Sequence, residues 1–271
     1  VTRARVRLRF DEGLRFFLAA RHRRSGEACL PHDGTSTLGH CVQSLGVPLT
    51  EVGALTVHGP GDETSGRRVG PSYRPRESET ADVGAVARPQ SVPGPWPPRF
   101  VLDVHLGALA RRLRLVGLDT VYGNDALDDE LVEQARDGRR LLLTKDRGLL
   151  MRRALWLGAY VRGASPDGQL LDVLGRFAPP LAPWTRCMAC NGTPEPVAKA
   201  EVEPLLPPGT RRTYDSFARC RSCSRLLWKG AHSGRLESLV TKARETVKAA
   251  PQAGMDSSAG YEGRHGPAGE A

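Results

Sequence analysis

Between residues 99 and 177 the chain changes its hydrophobic period repeatedly, and this alternation limits the fold more than any other feature. Residues 100–104, F-V-L-D-V, read as a buried strand. Leu106, Leu109, Ala110 and Leu113 then recur at the spacing of an amphipathic helix, with Arg111, Arg112 and Arg114 placed outward and Gly117 closing it. Residues 120–122 predict a strand, and Leu127, Leu131 and Ala135 mark a second helix ended by Gly138. Strand 140–144, helix 149–155, strand 158–162 and helix 169–177 complete the series before P-P-L-A-P at 179–183 breaks it. Strands that are apolar along their length and alternate with helices predict an α/β fold, a parallel sheet covered on both faces.

In such a sheet, sites form beyond the carboxyl ends of the strands. Asp103 and Asp146 fall at or just past two of those ends, and Asp128, in the first turn of the second helix, can reach the same edge. Asp125, Asp129 and Glu130 surround it in sequence. Carboxylates crowded into one cleft repel unless a hard divalent cation neutralises them. Mg²⁺ or Mn²⁺ held there can generate hydroxide and stabilise charge on a phosphodiester. Each acid also has a structural reading. Asp103, Asp125 and Asp146 suit helix N-caps, and Asp128, Asp129 and Glu130 suit a helix dipole. Their shared location favours a site.

Two C-x-x-C knuckles, Cys187/Cys190 and Cys220/Cys223, supply the four thiolates of a tetrahedral structural Zn²⁺. A redox pair or free thiols is the alternative. Four ligands close the coordination shell, so this metal is expected to support folding. Cys29 and Cys41 have no partner at ligand spacing and read as ordinary thiols.

Ahead of this region, Arg3 to Phe10 alternate as a half-buried strand with an arginine face, a solvated face or an RNA-binding one. A helix capped by Thr37 and closed by Gly46 follows, then a strand over residues 54–57. Residues 59–98 are rich in Pro, Gly and Ser and read as irregular, with room for one poorly marked strand. From about residue 240 the composition predicts a disordered tail. The net charge of +9 makes a polyanion a plausible partner, although arginine is spread through the whole chain. No apolar run is long enough to span a membrane, and the first residues show no apolar signal core, so a cytoplasmic protein is expected.

The stretch F-V-L-D-V-H-L-G-A-L-A-R-R-L-R-L-V-G-L-D-T-V-Y, then N-D-A-L-D-D-E-L and L-L-L-T-K-D-R-G-L-L, resembles the Mut7-C family across residues 99–239. V-R-L-R-F, G-V-P-L-T-E-V and L-T-V-H-G resemble the ubiquitin-like module, a β-grasp of the ThiS/MoaD kind, found ahead of such domains. Its last strand is expected where the chain reads P-S-Y-R-P-R-E-S-E-T, and is not recognisable there. The resemblance implies a β-grasp over 1–85, a Pro-rich linker over 86–98, a PIN-like nuclease domain over 99–180 and a zinc ribbon over 181–239, with 240–271 as tail. It implies catalytic roles for Asp103, Asp128 and Asp146, with Asp125 and Glu130 as possible additions. Lys145 stands where the family more often has arginine, which keeps the charge and loses the bidentate fork. F-A-R-C-R-S-C and W-K-G-A-H resemble the family's ribbon and place His232 there.

The expectation is therefore a Mg²⁺- or Mn²⁺-dependent ribonuclease that carries a structural Zn²⁺. Arg111, Arg112, Lys145, Arg147, Lys229 and His232 are the candidate RNA contacts, and His105 either meets a phosphate or is structural. The alternative is a non-catalytic RNA- or ribosome-binding adaptor on the same fold. Sulfur carriage needs a free Gly-Gly end, whereas this module runs on into a linker, so a protein partner is expected for it. A receiver-type phosphoacceptor needs paired acids after its first strand, and Asp103 is followed by Val104.

Overall fold

The computed structural model describes residues 5–61, 65–230 and 233–251, in two compact units, one ending at Ala87 and the other spanning Arg88–Pro251. Strand β1 (Arg5–Phe10) keeps the predicted alternation, with Val6, Leu8 and Phe10 buried and Arg5 and Arg7 exposed. Arg3 lies outside the described residues. Then come α1 (Glu12–Arg15), α2 (Ala20–Arg23), β2 (Glu27–Pro31), α3 (Leu38–Ser44), β3 (Val52–His58), β4 (Arg67–Val69) and β5 (Thr80–Ala85). Thr37 caps α3 by accepting the His40 N–H at 3.2 Å.

The five strands form one mixed sheet in the order β2-β1-β5-β3-β4. Residues 59–98, expected to be irregular with room for one poorly marked strand, hold two among the described residues, β4 at the sheet edge and β5 as the central strand, parallel to β1 and antiparallel to β3. Its buried residues are only Ala81 and Val83. Ala81 lies between Leu8 and Val57, and Val83 between Phe10 and Leu55, so the neighbouring strands carry the bulk. Small side chains give a weak period-two signal. The arginine face is also partly engaged, since Arg9 Nε donates to Asp82 at 2.6 Å, beside His58 at 2.9 Å.

The second unit opens with β6 (Phe100–Leu102), α4 (Gly107–Leu115), β7 (Thr120–Tyr122), α5 (Asp128–Asp137), β8 (Leu141–Thr144), α6 (Arg147–Leu150), β9 (Gly158–Tyr160) and α7 (Pro166–Phe177). The four strands are parallel throughout, in the order β7-β6-β8-β9. Alternate residues serve opposite faces. Phe100, Leu102, Leu141 and Leu143 pack with Leu109, Ala110 and Leu113 of α4 and with α7. Val101 and Leu142 pack on the other side with Leu131, Val132 and Ala135 of α5. Fully burying each such side chain contributes about 1.5–3 kcal/mol.

The remainder holds β10 (Pro194–Val197), α8 (Lys199–Val202), α9 (Pro208–Thr213), β11 (Phe217–Cys220), β12 (Leu226–Leu227) and α10 (Ser233–Ala249). The three strands form an antiparallel sheet ordered β10-β11-β12.

Four further expectations are corrected. Arg114, expected to face outward, is only 4% exposed, for reasons given below. The helix expected over 149–155 is the four-residue α6, which starts earlier because Asp146 caps it. The chain from Arg88 onward is packed, not loose: Gln90 N–H donates to Arg176 O at 2.6 Å and Arg176 Nε to Gln90 Oε1 at 2.8 Å. The tail expected from residue 240 is helix as far as Ala249, because Leu239, Val240 and Ala243 recur at helical spacing and enter the core shared with α7. Residues 252–271 lie outside the described residues. No described helix is long and apolar enough to cross a membrane.

Candidate functional site

The chain runs from β6 to β7 on one side, then crosses back to β8 on the other side of β6. The direction of strand order thus reverses between β6 and β8, and in open α/β sheets ligands bind outside the carboxyl ends at such a point. Asp103 follows the last residue of β6 and Asp146 lies two residues beyond the end of β8. Thr144 joins them. Its hydroxyl donates to Asp103 Oδ2 at 2.6 Å and accepts the Asp146 backbone N–H at 2.9 Å.

Asp103 is 7% exposed, a carboxylate taken almost wholly out of water at the end of a buried strand. Asp146 Oδ1 accepts the N–H groups of Gly148 and Leu149 at 2.6 and 3.3 Å, so the first turn of α6 anchors it. Tyr122, the last residue of β7, donates its hydroxyl to Val104 O at 2.8 Å and lies against Gly107. A Cβ at Gly107 would sit 2.6 Å from the Tyr122 hydroxyl oxygen, so a larger residue there would displace that side chain.

The other acids take different positions. Asp128 and Asp129 both meet Arg152, at 3.4 and 2.6 Å, so Asp128 is neutralised by a guanidinium instead of joining the first two acids. Glu130 folds back to accept the Leu127 N–H at 3.0 Å and is occupied in starting α5. Asp125 is exposed and does not cap α5, whose N-cap position is Leu127. Of the basic candidates, Arg111 is exposed, Arg112 pairs with Asp167, and Lys145 donates to Gly163 O at 2.8 Å. Arg147 opens α6 directly after Asp146. His105 is exposed, and its backbone N–H points toward Asp103 Oδ1 at 3.4 Å. His232 lies outside the described residues.

Sequence reasoning missed Thr144, whose only signal is a polar β-branched residue closing L-L-L-T. Replacing it with valine removes a buried hydroxyl between Asp103 and Asp146. Thr144→Val is expected to lower unfolding stability by about 1–3 kcal/mol. Denaturant unfolding measures this, and a change under about 0.5 kcal/mol would mean the bridge is not made in solution.

Among the described residues, the side chains gathered tightly enough to hold a metal are Cys187, Cys190, Cys220 and Cys223, whose sulfurs all lie within 4.8 Å of one another. The Cys187–Cys223 and Cys190–Cys220 pairs are 3.8 and 3.4 Å apart. Tetrahedral zinc with bonds of about 2.3 Å sets its sulfurs about 3.8 Å apart, so the cluster suits zinc. Both knuckles wind alike: Asn191 N–H returns to Cys187 O and Ser224 N–H to Cys220 O. The residue after each second cysteine is left-handed, with φ 71° at Asn191 and 57° at Ser224. As free thiols the four differ. Burial pushes Cys190 up to about 12, while at Cys220 the N–H groups of Cys223 and Ser222 outweigh burial and hold it at about 7.

Buried polar groups tie this cluster to the amino ends of the parallel strands, the edge opposite Asp103. Arg114 Nε donates to Thr120 O at 2.9 Å and its Nη1 to Met188 O and Ala189 O inside the first knuckle. That threefold use of its donors explains its burial, which lowers its pKa. Asn191 accepts the Thr120 N–H and donates to Asp119, which also receives Arg140 at 2.7 Å and Arg186 at 3.6 Å. The cysteine cluster therefore lies away from the acid edge.

Although burial raises the Asp119 carboxyl, hydrogen bonds from Arg140 and Asn191 and the nearby Arg186 charge hold it below the usual carboxylate range. A depressed folded pKa means its contribution is complete above the unfolded value near about 4 and is lost as pH falls through the folded one. Asp119→Asn is expected to cost about 2–3 kcal/mol at pH 7. The gap from the parent should be smaller when unfolding is measured well below about pH 4. An equal gap at both pH values would refute the linkage.

This geometry agrees with the comparisons to known proteins. The family model described as the Mut7-C RNAse domain matches residues 98–240, and that described as Mut7-C ubiquitin matches residues 3–91. The chain belongs to the Mut7-C family and carries its ubiquitin-like module at the amino-terminal side. No curated protein and no solved structure matches it.

Proposed function

We propose that the chain is a metal-dependent ribonuclease that hydrolyses RNA at the edge formed by Asp103 and Asp146. One observation carries this reading: a carboxylate 7% exposed lies at the strand-order reversal of a parallel sheet and shares Thr144 with a second acid. Membership of an RNAse-domain family supports it.

The donor set suits a hard cation, since Mg²⁺ is commonly held by one or two carboxylates with water and substrate phosphate completing its shell. Asp103 and Asp146 would hold Mg²⁺ or Mn²⁺, which supplies Lewis acidity and lowers the pKa of bound water. Asp128 would join only by leaving Arg152, and Asp125 and Glu130 would stay outside. Thr144 aims Asp103 by donating to Oδ2, and the His105 N–H meets Oδ1 only at 3.4 Å. Water oxygen bonds to phosphorus, the bond to the 3′ oxygen breaks, and that oxygen takes a proton. The products are a 5′-phosphate and a 3′-hydroxyl. Lys145, Arg147 and Arg111 would lie along the RNA backbone.

We assign residues 99–180 to a PIN-like nuclease domain, 181–239 to a zinc ribbon and 1–85 to a β-grasp that meets a protein partner. Reduced thiols in the ribbon suit the cytoplasm.

A non-catalytic RNA- or ribosome-binding adaptor is the competing reading, and the Arg152 bridge to Asp128 favours it. The deciding experiment incubates zinc-loaded full-length protein with RNA, with and without Mg²⁺ or Mn²⁺. Divalent-dependent cleavage lost in Asp146→Asn supports the nuclease. Tight binding with no cleavage under either ion assigns the adaptor.

A further inference from the structure

Beyond the acid edge, the described residues form an unexplained groove of about 760 Å³ lined by α9, by β11 and by the segment after β12. Four aromatic rings line it, Trp184, Tyr214, Phe217 and Trp228. Trp228 is 38% exposed although its neighbour Phe217 is buried, with ring centroids 6.4 Å apart. A large apolar ring left at a groove mouth is a flat face awaiting a partner. Neither the Trp228 indole N–H nor the Tyr214 hydroxyl has a hydrogen-bond partner among the described residues.

Two independent observations say what kind of partner fits. Trp184 stands in the left-handed region, φ 68°, held by its N–H to Leu115 O at 2.9 Å. Non-glycine residues rarely occupy that region, and such strain concentrates at functional sites. The second is charge. Arg211 and Arg212 project from α9, are exposed, and meet no carboxylate among the described residues. Lys229 adds a cation 5.4 Å from the Trp184 ring, although Glu237 partly neutralises it at 3.5 Å.

Aromatic faces beside unpaired guanidiniums match single-stranded nucleic acid, whose bases offer π-faces and whose backbone offers phosphates. A duplex hides its bases in the stack, so the groove would admit only unpaired ones. We infer that this groove binds single-stranded RNA, with an unpaired base stacked on Trp228 and adjoining phosphates on Arg211 and Arg212. The inference rests on the reading of the chain as an RNA-binding protein and extends it, making single strands the substrate class. Because the cysteine cluster lies opposite the acid edge, the base held here is distant from the bond that is cut.

The test is fluorescence anisotropy with full-length, zinc-loaded protein and no added divalent ion. The probes are a labelled single-stranded RNA of about 12 nucleotides and its blunt duplex. Single strands should bind more tightly than the duplex. Trp228→Ala should weaken single-strand binding about 5- to 150-fold, the loss of one base–aromatic stack, while Trp228→Phe retains most of it. Arg211→Ala with Arg212→Ala should reduce the slope of log affinity against log salt by about 1.4, from two phosphate contacts. Unchanged zinc content in each variant establishes that the ribbon is folded. Equal binding of duplex and single strand, or no effect of Trp228→Ala, overturns the proposal. Binding that depends on Trp228 without cleavage under any divalent ion retains the groove and rejects the nuclease. Cleavage with unchanged Trp228→Ala binding does the reverse.

Discussion

Stripping zinc with a chelator, or replacing Cys220 with serine, is expected to unfold residues 187–228. The three-stranded sheet there has a core of only Val202, Leu206 and Phe217. Three such side chains contribute under about 10 kcal/mol together. Ordering some forty residues costs several times that, at roughly 1–2 kcal/mol each. A structural zinc contributes about 10–16 kcal/mol of apparent binding energy in small domains at neutral pH, more than that core supplies. Damage should spread, because Arg114 would lose the Met188 and Ala189 carbonyls and be left as a buried, poorly paired cation. Limited proteolysis after zinc removal should cut between Cys187 and Trp228 while β1 to β5 stay resistant. Protease resistance of 187–228 equal to that of the zinc-loaded protein would show that the metal does not hold the ribbon together.

The second large effect concerns the acids. Asp103→Asn and Asp146→Asn are each expected to reduce cleavage by on the order of 10²–10³-fold or more, with the fold retained. Asparagine at 146 can still accept the Gly148 and Leu149 N–H groups, because it caps helices about as well as aspartate. Asparagine at 103 can still accept the Thr144 hydroxyl through its amide oxygen. Both changes therefore remove charge and leave the scaffold, so binding and cleavage should separate. Asp128→Asn should cost less than about tenfold, since exposed partners of one arginine contribute little. Wild-type cleavage by Asp103→Asn or Asp146→Asn would remove these acids from the chemistry. A larger loss for Asp128→Asn than for either would show that Arg152 releases Asp128 when substrate binds.

How far the fold was legible depended on side-chain size. Strands β6 and β8 announce themselves through Phe100 to Leu102 and Leu141 to Leu143, which are apolar on both faces. Strand β5 escaped notice because Ala81 and Val83 are small and the bulk facing them is supplied by Leu8, Phe10, Leu55 and Val57. Arg114 reads as a surface residue on a helical wheel. Its burial depends on the carbonyls of Met188 and Ala189, more than seventy residues away, which no local pattern contains. The same holds for Asp119, whose partners Arg140, Arg186 and Asn191 come from two later segments. The helical tail after residue 240 was hidden by its many charged and small residues, although Leu239, Val240 and Ala243 carry the spacing.

By itself the sequence determined the alternation of strands and helices, the two C-x-x-C pairs that cluster in the fold and the candidate acids, because period and spacing are local properties of a chain. Only the tertiary structure decided which acids share an edge. Strand order placed Asp103 beside Asp146 across Thr144, while Arg152 took Asp128 and the α5 N-terminus took Glu130. Carboxylates are assigned by what reaches them in space, and in this chain the deciding groups lie between 3 and 41 positions away in sequence.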